Sequence, residues 1–308
     1  MLNINLCGLN LKTPIILASG ILGVSYSSMK RIFDAGAGAI TTKSIGPTPR
    51  KGYKNPSIIE VYPGTFLNSV GLGNPGIDEF VSEIKEIKKC EVKLIVSVFG
   101  NDTDSYIATA KKAEEAGADA IEINISCPHA EVSSVGIDKN LTYSLVSAMK
   151  KTITIPLFVK LNPNVTDLTE IALSAEKGGA DAVVAINTIT AMKIDVNTRR
   201  PVLSHGSGGL SGKAIHPIAV KKVYDLYKNL KIPIIGCGGV SNWEDVVEFF
   251  LAGASAIQIG TALYNGSEII GNLTRDLKTY LGKNNIKSIS ELTGAAHNFK
   301  TQEVPDFD

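Results

Sequence analysis

The stretch Ala116-Gly117-Ala118-Asp119-Ala120-Ile121-Glu122-Ile123-Asn124-Ile125 decides the architecture of this chain. A glycine turn closes an amphipathic segment, and a short apolar run follows it at once. Glycine suits this junction because it supplies the helix C-cap and the tight turn into a strand. Closely similar phrases precede apolar runs at residues 35–39, 178–182 and 252–256. This recurrence favours one closed domain over a chain divided at its midpoint.

Eight apolar runs bounded by Gly, Pro or Asn are candidate strands, and amphipathic segments such as Asp104 to Ala116 and Val246 to Ala252 separate most of them. Strand and helix alternating eight times predicts an α/β fold of the (β/α)8 TIM barrel type over residues 1–308, with a doubly wound sheet as the competing arrangement. The runs are Ile15 to Ala18, Ala39 to Thr42, Leu94 to Phe99, Ala120 to Ile125, Leu157 to Leu161, Ala182 to Ile186, Ile232 to Ile235 and Ala256 to Ile259.

Three segments outside this repeat are expected to cover the ends of the barrel. Ile4 to Leu11 predicts an N-terminal β-hairpin that caps the closed bottom. Two long loops, Ser44 to about Asp78 and Pro128 to about Leu141, follow strands and therefore lie over the catalytic face. Their Gly, Ser and Asn content is compatible with a mobile lid.

Composition excludes several classes of partner. The chain has 308 residues, 44% hydrophobic and 20% charged, with a formal net charge of +1, which gives no reason to expect nucleic acid or an anionic membrane. The cysteines Cys7, Cys90, Cys127 and Cys237 are far apart and form no CxxC pair, so we expect reduced thiols in the cytoplasm and no metal site. No signal peptide or membrane-spanning run is recognised.

The run Asn124-Ile125-Ser126-Cys127-Pro128-His129 places a thiol directly after a predicted strand. A barrel enzyme keeps its chemistry at such strand ends, so Cys127 is a candidate proton-abstracting base. The alternative is a small apolar residue at the end of a strand.

The last two strands end in Gly236-Cys237-Gly238-Gly239-Val240 and Gly260-Thr261-Ala262. Backbone amides after the seventh and eighth strands of a barrel form a phosphate site, which we favour over two ordinary glycine turns. Lys43 and Lys160 also end strands, and each needs solvent or an anion for its ammonium. Either lysine could instead be a Schiff-base nucleophile.

Asparagines recur at the same predicted face, at Asn68, Asn74, Asn124 and Asn187. An amide offers both donors and an acceptor, which is what a planar imide or pyrimidine edge requires. Each one alone is more often a turn residue.

Together these phrases resemble the class 1 dihydroorotate dehydrogenases, FMN-dependent barrels of pyrimidine synthesis. The resemblance runs from Ala18-Ser19-Gly20 to Gly260-Thr261 and is strongest at Thr42-Lys43-Ser44, Asn68 to Pro75, Asn124 to Pro128, Lys160-Leu161 with Pro163 to Asp167, and Gly208 to Gly212. Ile194-Asp195 and Thr198-Arg199-Arg200-Pro201 resemble the NAD-linked class 1B.

The resemblance implies oxidation of dihydroorotate to orotate, with Cys127 removing the C5 proton while hydride passes from C6 to FMN. It assigns flavin contacts to Ser19, Lys43, Ser44, Ser97, Asn124, Lys160, Ile186, Gly212, Gly238, Gly239, Gly260 and Thr261. It assigns orotate contacts to Lys43, Asn68, Ser69, Val70, Gly71, Leu72, Asn124, Asn187 and Thr188.

Class 1B relatives pass electrons to a second subunit that carries FAD and a [2Fe-2S] cluster and reduces NAD. The resemblance therefore implies a homodimer of this chain within a heterotetramer. His129, Ser97, Lys213 and His216 depart from the family pattern and leave the substrate preference open. The alternatives are a flavin barrel acting on a related cyclic amide, as a dihydropyrimidine dehydrogenase does, a flavin-free lyase or isomerase that uses Lys43 or Lys160, and a non-catalytic nucleotide-binding barrel.

Overall fold

The computed structural model describes residues 1–125 and 136–298. Its strands are β1 Ile4–Leu6, β2 Leu9–Leu11, β3 Ile15–Leu17, β4 Ala39–Thr41, β5 Ile58–Tyr62, β6 Thr65–Asn68, β7 Leu94–Val98, β8 Ala120–Asn124, β9 Leu157–Lys160, β10 Ala182–Ala185, β11 Ile189–Ala191, β12 Ile194–Asp195, β13 Arg200–Pro201, β14 Gly208–Gly212, β15 Ile234–Cys237 and β16 Ala256–Ile259. The helices are α1 Tyr26–Asp34, α2 Ile77–Ile87, α3 Thr103–Glu115, α4 Lys139–Lys150, α5 Leu168–Gly178, α6 His216–Tyr227, α7 Trp243–Ala252 and α8 Glu268–Lys283.

Eight of these strands close into a barrel in the order β3-β4-β7-β8-β9-β10-β15-β16, and every neighbouring pair is parallel. The predicted TIM barrel is confirmed. The seventh strand was predicted to begin at Ile232, but it begins at Ile234. Pro233 cannot extend it, because proline has no N–H for the ladder. The strand instead continues through Gly236 and Cys237, which pair with Ile257 and Gln258.

Most of the described helices around the barrel begin where a polar side chain caps them, whereas α2, α6 and α8 have no such cap. Asp102 accepts a hydrogen bond from the Ser105 amide at the start of α3, and Asn242 does the same for Asp245 at the start of α7. Both helices are longer at their N-terminal ends than the apolar periodicity predicted, since the cap lies outside the periodic run. Among the described residues, no helix is long and apolar enough to cross a membrane.

Side chains alternate across each barrel strand, so one set faces the helices and the other fills the interior. Ile121 and Ile123 of β8 pack against the helices. The lower interior is apolar: Ile16, Ile95, Phe158 and Ile235 contribute to one cluster there. Polar side chains follow further along the same strands, towards the end of the barrel where the carboxyl ends of the strands lie. We call that end the mouth.

The N-terminal hairpin is confirmed, and it closes the other end of the barrel. Leu6 of β1 pairs with Leu9 of β2 across a two-residue turn in which Cys7 and Gly8 have φ of 50° and 89°. Positive φ at both turn positions is the geometry that two-residue hairpins favour. The leucines of the hairpin, Leu6, Leu9 and Leu11, are buried in the interior cluster of the barrel.

The mouth carries a four-stranded antiparallel sheet of order β11-β14-β6-β5, which we call the bridging sheet. Its strands β5 and β6 come from the segment predicted to be a long loop, Ser44 to about Asp78. Strands β11 and β14 come from the connection after β10, where no sheet was expected, because glycine-rich Gly208–Gly212 does not read as a strand. The second predicted loop lies partly outside the described residues, and the single domain over 1–308 stays a prediction.

Candidate active site

Four predicted flavin contacts meet at the mouth in one hydrogen-bonded group. The Asn124 side-chain amide donates to Ser44 Oγ at 3.0 Å. Ser44 Oγ lies 2.9 Å from Ser97 Oγ and 3.2 Å from Ser19 Oγ. These side chains end the first, second, third and fourth barrel strands or follow directly after them, so closure of the barrel brings them together.

Lys160 lies at the mouth end of β9 and points into the barrel, where its side chain is buried. Its Nζ donates to Gln258 Oε1 at 2.6 Å and to Cys237 Sγ at 3.1 Å. Gln258 in turn donates from Nε2 to Glu122 at 2.6 Å and to Thr41 at 3.3 Å. A cation and a carboxylate therefore share the interior beneath the mouth, with one amide between them.

This inner layer was not predicted from the sequence. Burial raises the pKa of Glu122, and the positive charge of Lys160 opposes that rise. A signal was available, because Glu122 and Gln258 occupy inward positions of otherwise apolar runs, Ala120–Asn124 and Ala256–Ile259. A polar residue at such a position must find a partner inside the barrel.

Lys43 follows β4 and is the second cation of the mouth. Burial lowers the pKa of its ammonium. Within residues 1–125 and 136–298, no hydrogen bond or ion pair to that ammonium is present. A half-buried cation without a protein partner is suited to bind an anionic ligand.

Most of the predicted orotate contacts lie on or beside the bridging sheet. Asn68 ends β6, and its Nδ2 donates to the Gly209 carbonyl at 3.0 Å. Ser69, Val70, Gly71 and Leu72 form the turn that follows, with φ of 75° at Gly71 and 55° at Leu72. Across the sheet, a Cβ at Gly209 would lie 2.1 Å from Thr188 Oγ1, so glycine there admits the Thr188 side chain. The bridging sheet thus brings Thr188 close to the turn that follows Asn68, although the two are distant in sequence.

Asn187 and Asn74 have local roles in the described structure. Asn187 Oδ1 accepts from the Thr188 amide at 2.8 Å, which fixes the turn after β10. Asn74 Oδ1 accepts from the Gly46 and Gly76 amides, and its Nδ2 donates to the Leu72 carbonyl at 2.9 Å. Asn74 is therefore a turn residue, the alternative that the sequence left open for each of these asparagines.

Three glycines predicted to bind phosphate come together where β14 and β15 end. Gly212, Gly238 and Gly239 have φ of 90°, 139° and 75°. A Cβ at Gly212 would lie 2.0 Å from the Gly64 carbonyl oxygen, and one at Gly239 would lie 2.6 Å from His216 Cβ. A cavity of about 70 Å³ adjoins them, lined by Gly64, Gly212, Lys213, Gly239, Val240, Ser241, Ala262, Tyr264, Asn265 and Ile269. This small glycine-walled cradle fits a phosphate group.

The remaining predicted contacts flank this cradle. Ile186 is buried, and its amide donates to the Cys237 carbonyl at 2.7 Å. Gly260 precedes the short 3₁₀ helix Thr261–Asn265. His216 departs from the family pattern. Its Nδ1 donates to the Gly238 carbonyl at 3.0 Å, so its ring holds the backbone of the cradle in place. Cys127 and His129 lie outside the described residues.

Comparison with known proteins identifies the family. Residues 1–281 match the family model for dihydroorotate dehydrogenase. The chain is 46% identical over 304 residues to "Dihydroorotate dehydrogenase B (NAD(+)), catalytic subunit" of Methanocaldococcus jannaschii, covering 96% of this chain and 98% of that protein. It is 48% identical over 295 residues to the protein of the same name from Methanocella arvoryzae, covering 95% and 97%.

A solved structure shares the fold. Dihydroorotate dehydrogenase from Eimeria tenella, solved in complex with ferulenol, superposes with a TM-score of 0.84 at 23% identity, covering 97% of this chain and 89% of that one. The barrel, the site at its mouth and the near-complete alignments agree. The chain belongs to the dihydroorotate dehydrogenase family, and to its class 1B, whose named relatives are catalytic subunits of NAD-linked enzymes.

Proposed function

We propose that this protein oxidises (S)-dihydroorotate to orotate in pyrimidine biosynthesis, with FMN as its prosthetic group. The observation that carries the proposal is the alignment at 46% and 48% identity with two named catalytic subunits over nearly the full chain. The polar mouth supports it, because Lys43, Asn124 and Lys160 converge there from three barrel strands.

The residues present fit FMN at two places. The Gly212, Gly238 and Gly239 cradle would hold the phosphate, and the group of Ser19, Ser44, Ser97, Asn124 and Lys160 would hold the polar ring edge. When bound, FMN accepts the hydride that leaves C6 of dihydroorotate. Lys160 would place its ammonium next to that ring edge, where it would stabilise negative charge.

Lys43 holds the anionic substrate from the second side of the mouth, because its ammonium is half-buried and has no anionic partner among the described residues. The turn from Asn68 to Leu72, together with Asn124, Asn187 and Thr188, supplies the amide and hydroxyl groups that a planar pyrimidine edge requires. Cys127 removes the C5 proton as thiolate, a role that its place after β8 and the family resemblance support.

The electrons leave through a partner. A second subunit carrying FAD and a [2Fe-2S] cluster takes them to NAD, in a heterotetramer built on a homodimer of this chain in the cytoplasm. The names of the relatives support a partner, since each is called a catalytic subunit. The three cysteines in the described residues, Cys7, Cys90 and Cys237, belong to no shared group of metal ligands there.

An anaerobic absorbance spectrum tests the proposal. The purified protein should carry the flavin spectrum and lose its absorbance within seconds of adding L-dihydroorotate. Dihydrouracil is the matched control, because it lacks the carboxylate of dihydroorotate and should leave the flavin oxidised. Bleaching by dihydrouracil alone would favour a related cyclic-amide dehydrogenase, and a protein that stays colourless after incubation with FMN would overturn the flavin assignment.

The partner requires its own assay. Catalytic protein alone should reduce an artificial dye in the presence of dihydroorotate but should not reduce NAD. Adding a class 1B electron-transfer subunit should give NADH and a larger complex in size-exclusion chromatography. NADH production by this chain alone would contradict the division of labour.

A further inference from the structure

The interior of the barrel holds a glutamate and a lysine below the mouth. The Lys160 side chain is 5% exposed, Gln258 1% and Glu122 0%. They come from three different strands, β9, β16 and β8. A charge buried this deeply is costly unless an opposite charge or a full set of hydrogen bonds compensates it.

The amide of Gln258 connects Lys160 and Glu122 in a defined orientation. Its carbonyl oxygen accepts from the Lys160 ammonium, and its NH₂ donates to Glu122 and Thr41. A flipped amide would direct N–H groups at the ammonium and a carbonyl oxygen at the carboxylate, which is unfavourable at both ends. Glu122 therefore determines which end of Gln258 faces Lys160.

The side chains of Thr41, Ser97 and Cys237 also contact this chain of hydrogen bonds, and Ser97 hydrogen-bonds Glu122. Thr41 of β4 contacts the Gln258 amide, and Cys237 of β15 accepts from Lys160 at 3.1 Å. Among the described residues, the Lys160 ammonium makes two hydrogen bonds, to Gln258 and Cys237, so one of its three protons remains for a group bound above it.

We propose that Glu122 is a positioning residue: through Gln258 it fixes the Lys160 ammonium beneath the mouth and reduces the net positive charge that a bound flavin experiences. The second part rests on the proposed function. We call Glu122 a positioning residue because it acts on the mouth through Gln258 and Lys160. Its carboxylate acts by holding Gln258 and by lowering the local potential.

The test of the charge effect is the midpoint potential of the bound flavin. Glu122→Gln keeps the size of the side chain and removes its charge. The equilibrium ratio of reduced to oxidised flavin should therefore rise at least tenfold, which raises the midpoint potential by about 30 mV for a two-electron couple. Thr41→Val is the matched control, because it removes a hydrogen bond to the same amide and leaves the charge unchanged. An unchanged potential in Glu122→Gln, or an equal rise in Thr41→Val, would overturn the charge effect.

The positioning effect is tested without flavin, by urea unfolding of the apoprotein. Glu122→Gln and Lys160→Met should each destabilise the fold, and the double variant should lose less free energy of unfolding than the sum of both, because neither charge is left unpaired. Additive losses would reject the inference. If a single variant does not fold, recovery of folding in the double variant supports the same coupling, and a double variant that also fails contradicts it.

These two measurements separate the inference from the proposed function. A wild-type protein that binds no FMN would reject the proposed function and the charge effect with it, while coupling between Glu122 and Lys160 would still decide the positioning role. The opposite outcome is also possible. If dihydroorotate reduces the wild-type flavin but the Glu122→Gln and Lys160→Met losses of unfolding free energy are additive, the proposed function stands and the positioning role is rejected.

Discussion

Single inward-facing residues determine the chemistry of this barrel. Each strand offers one or two side chains to the interior, and the lower positions are apolar while the upper ones are Thr41, Ser97, Glu122, Lys160 and Gln258. Alternation in the sequence is sufficient to assign these residues to the interior. Their partners depend on the register between strands, which the sequence does not reveal.

Replacing Cys127 with Ala should leave FMN bound but slow flavin reduction by about 10²- to 10⁴-fold, the usual effect of losing a general base. Anaerobic stopped-flow absorbance with dihydroorotate measures the rate, and the flavin-to-protein ratio serves as the control. Reduction at the wild-type rate would assign the base to another residue.

Lys43 should make orotate binding depend on pH. Burial lowers the pKa of its ammonium, so the positive charge is lost at a lower pH than for an ordinary lysine, near 10.4. Orotate affinity should therefore fall as pH rises through that lowered value, and bound orotate should itself favour the charged form.

Lys43→Met should bind orotate at least about tenfold more weakly at neutral pH, since a charge-assisted hydrogen bond is lost, and its affinity should no longer depend on pH in that range. Fluorescence titration measures both properties. Lys54→Met is the control, because Lys54 is an exposed lysine in the segment Ser44 to Asp78 that follows Lys43. A pH profile that is equally steep in Lys43→Met would exclude this lysine as its source.

At the scale of elements, glycines allow close contact between segments distant in sequence. Gly212→Ala should weaken FMN binding at least about tenfold, because it combines a φ of 90° with a Cβ that would lie 2.0 Å from the Gly64 oxygen. Gly206→Ala is the control: φ is 88° there, but no atom lies within 4 Å of the added Cβ. Equilibrium dialysis against FMN compares the two, and equal losses would attribute the effect to backbone strain alone.

The local elements could be predicted, whereas pairing between distant segments could not. Each barrel strand is a short apolar run beside a glycine turn, and such runs predict strands without knowledge of the remaining chain. In the bridging sheet, Thr65–Asn68 pairs with Gly208–Gly212, over a hundred residues away. Neither segment contains a signal that it pairs with the other. The strand pairing that holds Asn68 and Thr188 in place was therefore not predicted.

At the scale of the whole molecule, the hairpin and the barrel form one core. Leu6→Ala should destabilise the protein by about 2–5 kcal/mol, because it leaves a cavity where the hairpin closes the barrel. Leu173→Ala, at a side chain that is 36% exposed, is the control and should have a much smaller effect. Urea unfolding followed by circular dichroism measures the free energy of unfolding of both variants. If Leu6→Ala loses as little as Leu173→Ala, the hairpin does not contribute to the core of the barrel.

The bridging sheet has a mechanical consequence. Its two halves follow β4 and β10, which lie opposite each other in the ring of eight strands. Four residue pairs, from Asn68 with Gly209 to Thr65 with Gly212, therefore brace the rim across its diameter. Widening the entrance along this line would break a hydrogen-bond ladder, so the ladder holds the ends of β4 and β10 at a fixed separation. The brace also divides the ring into two arcs, with β7, β8 and β9 on one side and β15, β16 and β3 on the other, so a shift of one arc need not be transmitted to the other.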